Sequence, residues 1–204
     1  MIDFMMAHPE KIVTPLLEHI SLTAMTLVVS VLLASALTIL CAALPALGTI
    51  LTAAFSVVYS IPSLALFALL IPVTGLGRTT AVIVLCAYNQ YLLLGNFLAG
   101  LNEVDPGVRE AARGIGMTVM QELFLVQVPL AKKALFVGIR LAVVSTIGIG
   151  TIAAAINAGG LGTLLFDGLR TMNTAKILWG SLLSAALAVL VNWILQCAEK
   201  GVSR

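Results

Sequence analysis

ISLTAMTLVVSVLLASALTILCAAL, residues 20–44, runs for 25 positions without a charged side chain. A helix needs about 20 apolar residues to cross a hydrocarbon core about 30 Å thick. A surface helix of a soluble protein of that length would carry a polar face, and this segment has no charge with which to build one. The run therefore predicts a membrane-spanning helix. Four further apolar runs, roughly 47–73, 79–101, 134–158 and 177–198, repeat the prediction. Composition agrees: 60% of the 204 residues are hydrophobic and 10% are charged, against about 25% charged in a soluble domain. The expected fold is an all-α membrane protein of about five transmembrane helices. Residues 20–198 form one transmembrane domain, with a segment 1–19 before it and a tail 199–204 after it.

The N-terminal stretch MIDFMMAHPEKIVTPLLEHI has no basic region ahead of the apolar run and no small-residue cleavage site after it. The first apolar run is accordingly expected to stay in the mature protein. Cys41, Cys86 and Cys197 lie in or at the end of apolar runs without metal-ligand spacing and read as small buried hydrophobes. His8 and His19 fall outside the predicted spans, are isolated, and show no metal spacing. A net charge of +2 with no basic stripe gives no reason to expect a nucleic-acid partner. GIGTIA at 148–153 matches a dinucleotide fingerprint in form, but it sits inside an apolar run with no strand before it. GGLG at 159–162 is followed by no Gly-Lys-Ser/Thr, so the chain is expected to hold no nucleotide of its own.

The connections differ in character. Spans one and two are joined by a tight uncharged turn around Pro45 and Gly48. Pro62, flanked by Ser60 and Ser63, lies inside the second run, where proline removes a backbone hydrogen bond and bends the axis; a packing kink and a hinge both fit. GGLGTLLFDGLRTMNTAK at 159–176 contains an apolar stretch too short to span and reads as re-entrant or interfacial. The one long polar connection is residues 102–133. With five spans it shares a side with the C-terminus. Arg109, Arg113, Lys132, Lys133, Arg140, Lys200 and Arg204 belong to that side, against Lys11, Arg78, Arg170 and Lys176 on the other. The excess of Lys and Arg places the loop in the cytoplasm and the N-terminus outside.

Inside that loop Asp105 and Pro106 form a helix start, an N-cap followed by proline at the first helical position. Gly114 and Gly116 weaken any continuation. A second short helix is predicted over 118–128, stopped by Pro129. Small Ala111 and Ala112 would let another protein approach the backbone. The residues alone leave open a plain solvated connection.

EAARGIG at 110–116, followed after nine residues by VQVP at 126–129, resembles the cytoplasmic signature of ABC importer permeases. Glu110, Ala111, Ala112, Gly116 and Pro129 match it by type and spacing, while Val126 and Val128 stand for Ile and Leu. IPSLALFALLIPVTGLG at 61–77, LNEVDPGVREAARGIG at 101–116, GIR at 138–140 and NAGGLG at 157–162 are similar to the osmoprotectant branch, which takes up glycine betaine, choline, carnitine and related quaternary amines. The chain departs from that branch at Gly95, where members often carry Arg before the Asn of the third span. The resemblance implies a type I ABC importer permease fold in a bacterial inner membrane. It also implies a second permease chain, identical or not, two ATPase subunits that hold ATP and Mg, and an extracytoplasmic substrate-binding protein. The loop would be a coupling helix seated on the ATPase.

Candidates for a translocation pathway are Ser60, Pro62, Ser63, Asn89, Gln90, Asn96 and Ser145, although polar residues in spans also serve to bind helices together. No carboxylate lies clearly within a predicted span, which speaks against a proton relay. Arg140, about two turns into the fourth span, is expected to snorkel toward the cytoplasmic face. Other readings are an importer of the same mechanism for methionine or another small amino acid, and a channel or carrier without an ATPase. An intramembrane enzyme finds no carboxylate pair, metal cluster or nucleophile–base pair to support it.

Overall fold

The first apolar run folds into a helix longer than the run itself. In the computed structural model, which describes Met6 and residues 9–202, α1 spans Glu10–Ala43. Beyond Leu22 its buried stripe is made of small residues, with Thr26, Ser30, Ala34, Thr38 and Cys41 recurring every three or four positions. Bulky Val28, Leu32 and Leu33 point outward. Small residues inside and large ones outside is the pattern of helices that pack closely in lipid.

Leu44 alone separates α1 from α2 (Pro45–Ser60), and Gly48 lies within α2 rather than in the turn. The second run is not one kinked helix. It breaks at Ile61–Pro62, and α3 (Ser63–Thr74) leaves at 100° to α2. Ile61 before the proline is extended, at φ −71° and ψ 132°, as the proline ring demands of its predecessor. The carbonyl freed there is taken by Tyr88, whose hydroxyl donates to Ile61 O at 2.5 Å.

α4 (Arg78–Asn102) is the central helix and packs against α1, α2 and α7. A short α5 (Pro106–Gly114) and α6 (Val119–Glu122) follow. Pro129 does not stop the next helix, contrary to expectation. Leu123–Gln127 form a wider π turn in which Val128 N–H reaches back five residues to Leu123 O. That turn absorbs the donor that proline lacks. The chain then continues as α7 (Val128–Ile152) and a 3₁₀ turn (Ala153–Ile156). Together 119–156 form 38 residues of unbroken helical turns. α8 (Leu161–Arg170) is a ten-residue helix too short to span, and α9 (Thr174–Val202) lies at the periphery against α7 and α8. Among the described residues four helices are long and apolar enough to cross a membrane, and the bent α2–α3 pair makes a fifth candidate.

α4 and α7 pack closely through glycines: a Cβ on Gly100 would lie 2.4 Å from Ala134 Cβ, and one on Gly138 2.9 Å from Asn96 Cβ. At the end opposite the 102–133 loop, α1 holds the start of α8. Gly160 N donates to Glu18 Oε2 at 2.9 Å, and Leu161 N donates to His19 Nδ1 at 3.3 Å. The ring proton therefore sits on Nε2, which donates to Ile147 O at 3.1 Å. His19, expected to be isolated and outside the spans, is fully buried and joins three elements; His8 lies outside the described residues. Gly159, at φ +80°, and Gly160, at φ +85°, permit this close approach to Glu18 and His19, while Gly162, whose Cβ would fall 1.8 Å from Thr151 O, lets α8 pack against the end of α7. Arg140 does not snorkel free. It donates to Asn192 Oδ1 at 3.1 Å and pairs with Glu199 at 3.0 Å, tying α7 to α9.

Candidate functional site

The 102–133 loop folds as an outward-facing helix on a charged clamp. Asp105 caps α5 by accepting from Gly107 N at 2.6 Å, with Pro106 opening the helix. The helix ends at Gly114, and Gly116 turns the chain at φ +87°, a conformation that favours glycine. Met117 N then closes back to Ala112 O at 3.1 Å, the bond of a Schellman ending. Thr118 and Gln121 form a reciprocal capping box that starts α6.

Glu122, 2% exposed, is the anchor. Arg109 Nε donates to its Oε1 at 2.8 Å, Arg113 Nε to its Oε2 at 2.7 Å, and Gln127 Nε2 to Oε1 at 2.7 Å. Arg113 and Arg109, one turn apart on α5, hold this carboxyl down to about 2, well below the ordinary glutamate value. The clamp fixes which face of α5 turns inward. Ala112 packs beneath it, while Glu110, Ala111 and Gly116 are exposed together with Val108 and Ile115. Behind the clamp, Leu101, Val104, Leu123 and Ala131 form a small core that Ile39, Ala42 and Val128 complete. A cleft of about 760 Å³ opens beside it, lined by Thr38, Thr49, Thr52, Arg109, Glu122 and Gln127 among others. Pro129 is exposed at the start of α7.

The pathway candidates fall into two groups. Asn89 and Gln90 are buried between α1, α4 and α7. Asn89 Nδ2 donates to Ser30 Oγ at 3.1 Å and Thr146 Oγ1 at 2.9 Å, and Gln90 Nε2 to Ser30 O at 3.2 Å. Their bonds join helices. Ser60, Pro62 and Ser63 sit at the α2–α3 bend, with Ser60 and Pro62 exposed. Asn96 lines a shallow groove on α4 with Tyr91, Leu92, Gly95 and Ala99. Ser145 is half-buried on α7. Reading the sequence alone missed Glu122 and the tyrosines at the bend. The signal for Glu122 was its spacing from Arg109 and Arg113 across the glycine turn.

A bundle of five candidate spans with a clamped amphipathic helix on one end is the architecture of a multi-helix membrane protein. The chain belongs to the family of binding-protein-dependent transport system inner membrane components, the permease subunits of ABC importers; the match covers residues 34–204. It is similar to the osmoprotectant import permease protein OsmW of Salmonella typhimurium, 35% identical over 95% of this chain and 93% of that protein. It is also similar to the choline transport system permease protein OpuBB of Bacillus subtilis, 29% identical over 98% of this chain and 92% of that one. Among solved structures, the inward-facing MetNI methionine ABC transporter has a chain that superposes with a TM-score of 0.86 at 19% identity, covering 97% of this chain and 99% of that one. That likeness shows the type I ABC importer permease fold.

Proposed function

We propose that this chain is the permease of an importer for quaternary-amine osmoprotectants such as glycine betaine, choline and carnitine, driven by partner ATPase subunits. ATP and Mg belong to those partners. A second permease chain completes the channel, and an extracytoplasmic binding protein delivers the solute. The 102–133 loop faces the cytoplasm with the C-terminus, and the N-terminus lies outside. The excess of Lys and Arg at the loop end of the bundle supports this orientation.

The observation that carries the coupling reading is the presentation of α5. Its signature residues Glu110, Ala111 and Gly116 are exposed, while the Glu122 clamp and buried Ala112 hold the helix from behind. A rigidly backed, outward helix can follow the movement of an ATPase groove. The substrate reading is supported by the similarity to an osmoprotectant import permease and a choline transport permease.

The test is to purify the chain with its ATPase and binding protein, reconstitute the complex in vesicles, and measure ATP-dependent uptake of radiolabelled choline, glycine betaine and carnitine. Gly116→Pro and Glu110→Lys are expected to abolish uptake and the ATPase stimulation that accompanies it, while membrane insertion persists. Normal uptake in both variants would remove the coupling assignment. Uptake of methionine in place of the quaternary amines would move the substrate to the amino-acid class.

A further inference from the structure

The chain has three tyrosines, and all three meet at one place. Tyr59, at the end of α2, stacks on Tyr91 of α4 with ring centroids 4.7 Å apart and planes tilted by 31°. It meets Tyr88 edge to face at 5.6 Å and 83°. Tyr88 is buried and fixed by its bond to Ile61 O at the α2–α3 break. Tyr59 and Tyr91 are each 37% exposed.

Their depth is unusual. Tyrosines of membrane proteins gather at the interfaces, where the hydroxyl reaches water. Tyr91 lies roughly 20 Å along α4 from Arg78 and about 16 Å from Asn102, at a rise of about 1.5 Å per residue. Lipid headgroups are out of reach from there, and a phenol turned to lipid tails would lose its water without compensation. One turn and two turns beyond Tyr91 on the same face come Gly95 and Ala99, which leave a groove of about 310 Å³ beside the ring, with Asn96 on its wall. Exposed Ser60 and Pro62 border Tyr59 at the bend. No Asp or Glu lies in α2, α3, α4 or α7. A cation moving along this face meets ring faces and no carboxylate.

We propose that the outer ring face of Tyr91, backed by Tyr59 stacked on its other side and braced through Tyr59 by Tyr88, forms an aromatic seat for the trimethylammonium head of the solute at mid-depth of the permease. The inference rests on the substrate class proposed above. A ring face attracts a quaternary ammonium within about 6 Å of its centroid. The attraction has no fixed negative charge behind it, so it orders the head without trapping it, which suits a station on a pathway.

The experiment uses the reconstituted complex with its ATPase and binding protein, and initial rates of choline and glycine betaine uptake. Tyr59→Leu and Tyr91→Leu are expected to lower kcat/KM about five- to thirty-fold. Tyr59→Phe and Tyr91→Phe keep the ring face and are expected to recover it to within about twofold. Tyr91→Trp presents a stronger face and is expected to lower KM. Binding-protein-stimulated ATP hydrolysis reports the folded complex in every variant. Uptake unchanged in both Leu variants overturns the seat, as it would if lipid or the second permease chain simply covered this face. Equal losses with Phe and Leu also overturn it, because the effect then lies in the hydroxyl. A raised KM in Tyr91→Trp overturns it even if a Leu variant fails to assemble. A wild-type complex that takes up no trimethylammonium solute sinks the substrate reading and the seat together; a wild type that does, with indifferent Leu variants, sinks the seat alone.

Discussion

Gly162 shows how little room the end opposite the loop allows. A methyl group there would meet the backbone oxygen of Thr151, which cannot swing aside as a side chain can. Gly148, four turns away in sequence terms and also in an apolar helix, would meet nothing within 4 Å. The two glycines look alike in sequence and are opposite in cost. Gly162→Ala is expected to destabilise the purified permease by about 1–3 kcal/mol, the range of overpacking. Gly148→Ala is expected to be neutral or to stabilise by up to about 1 kcal/mol through helix propensity. Thermal unfolding of both variants in one detergent checks the contrast, and equal midpoints would contradict the packing described. The NAGGLG stretch is thus a joint in which Gly159 and Gly160 make space for Glu18 and His19 of α1 and Gly162 for the backbone at Thr151.

At the scale of elements, the placement of α5 depends on one carboxylate. Arg113 and Arg109 keep Glu122 ionised down to about 2, against an ordinary value of 4.5. Because the folded value is the lower one, the clamp's contribution is complete above about pH 4.5 and fades as the pH falls toward 2. The thermal midpoints of wild type and Glu122→Gln should therefore differ at about pH 7 and converge below about pH 4.5. A difference that stays constant through that range would place the stability elsewhere. The cap and the glycine turn of this loop were legible in the sequence, since Asp105-Pro106 and Gly116 carry their geometry in their own chemistry. The π turn was not. Pro129 reads as a stop when only its missing N–H is considered, and the alternative requires seeing that Leu123 and Gln127 are buried and hold the turn open.

On the scale of the whole molecule, apolar run length predicted the number of candidate spans, because lipid imposes that length on any helix. It could not predict direction changes. The second run has a proline in it either way, and the 100° break goes with a distant partner, Tyr88, 27 residues beyond Ile61, whose hydroxyl donates to Ile61 O. Nor could it foresee that Asn89 and Gln90 turn toward α1, since that follows from which face α4 presents to Ser30 and Thr146. The pairing of Arg140 with Glu199, 59 residues apart, was equally invisible. A double-mutant cycle with Arg140→Gln and Glu199→Gln should give a coupling of about 0.6–1.7 kcal/mol, the range for bonds between membrane helices. Additive losses would show that α9 is held by its packing on α8 and α7 without this pair.

The 38 residues from Val119 to Ile156 make a rod about 57 Å long at about 1.5 Å per residue. Arg109 and Arg113 hold it through its own Glu122 near one end, His19 and Gly162 touch it near the other, and Gly138, packed against Asn96, lies at its midpoint. A rod with a central fulcrum behaves as a seesaw. A tilt of about 5° moves each tip by about 2–3 Å in opposite senses over half of that length. Under the importer reading proposed above, such a tilt would narrow one mouth of the permease as it widened the other. Thickening the fulcrum tests it: Gly138→Ala should slow uptake while the ATPase still co-purifies with the chain. Wild-type uptake rates in that variant would mean the rod does not pivot there.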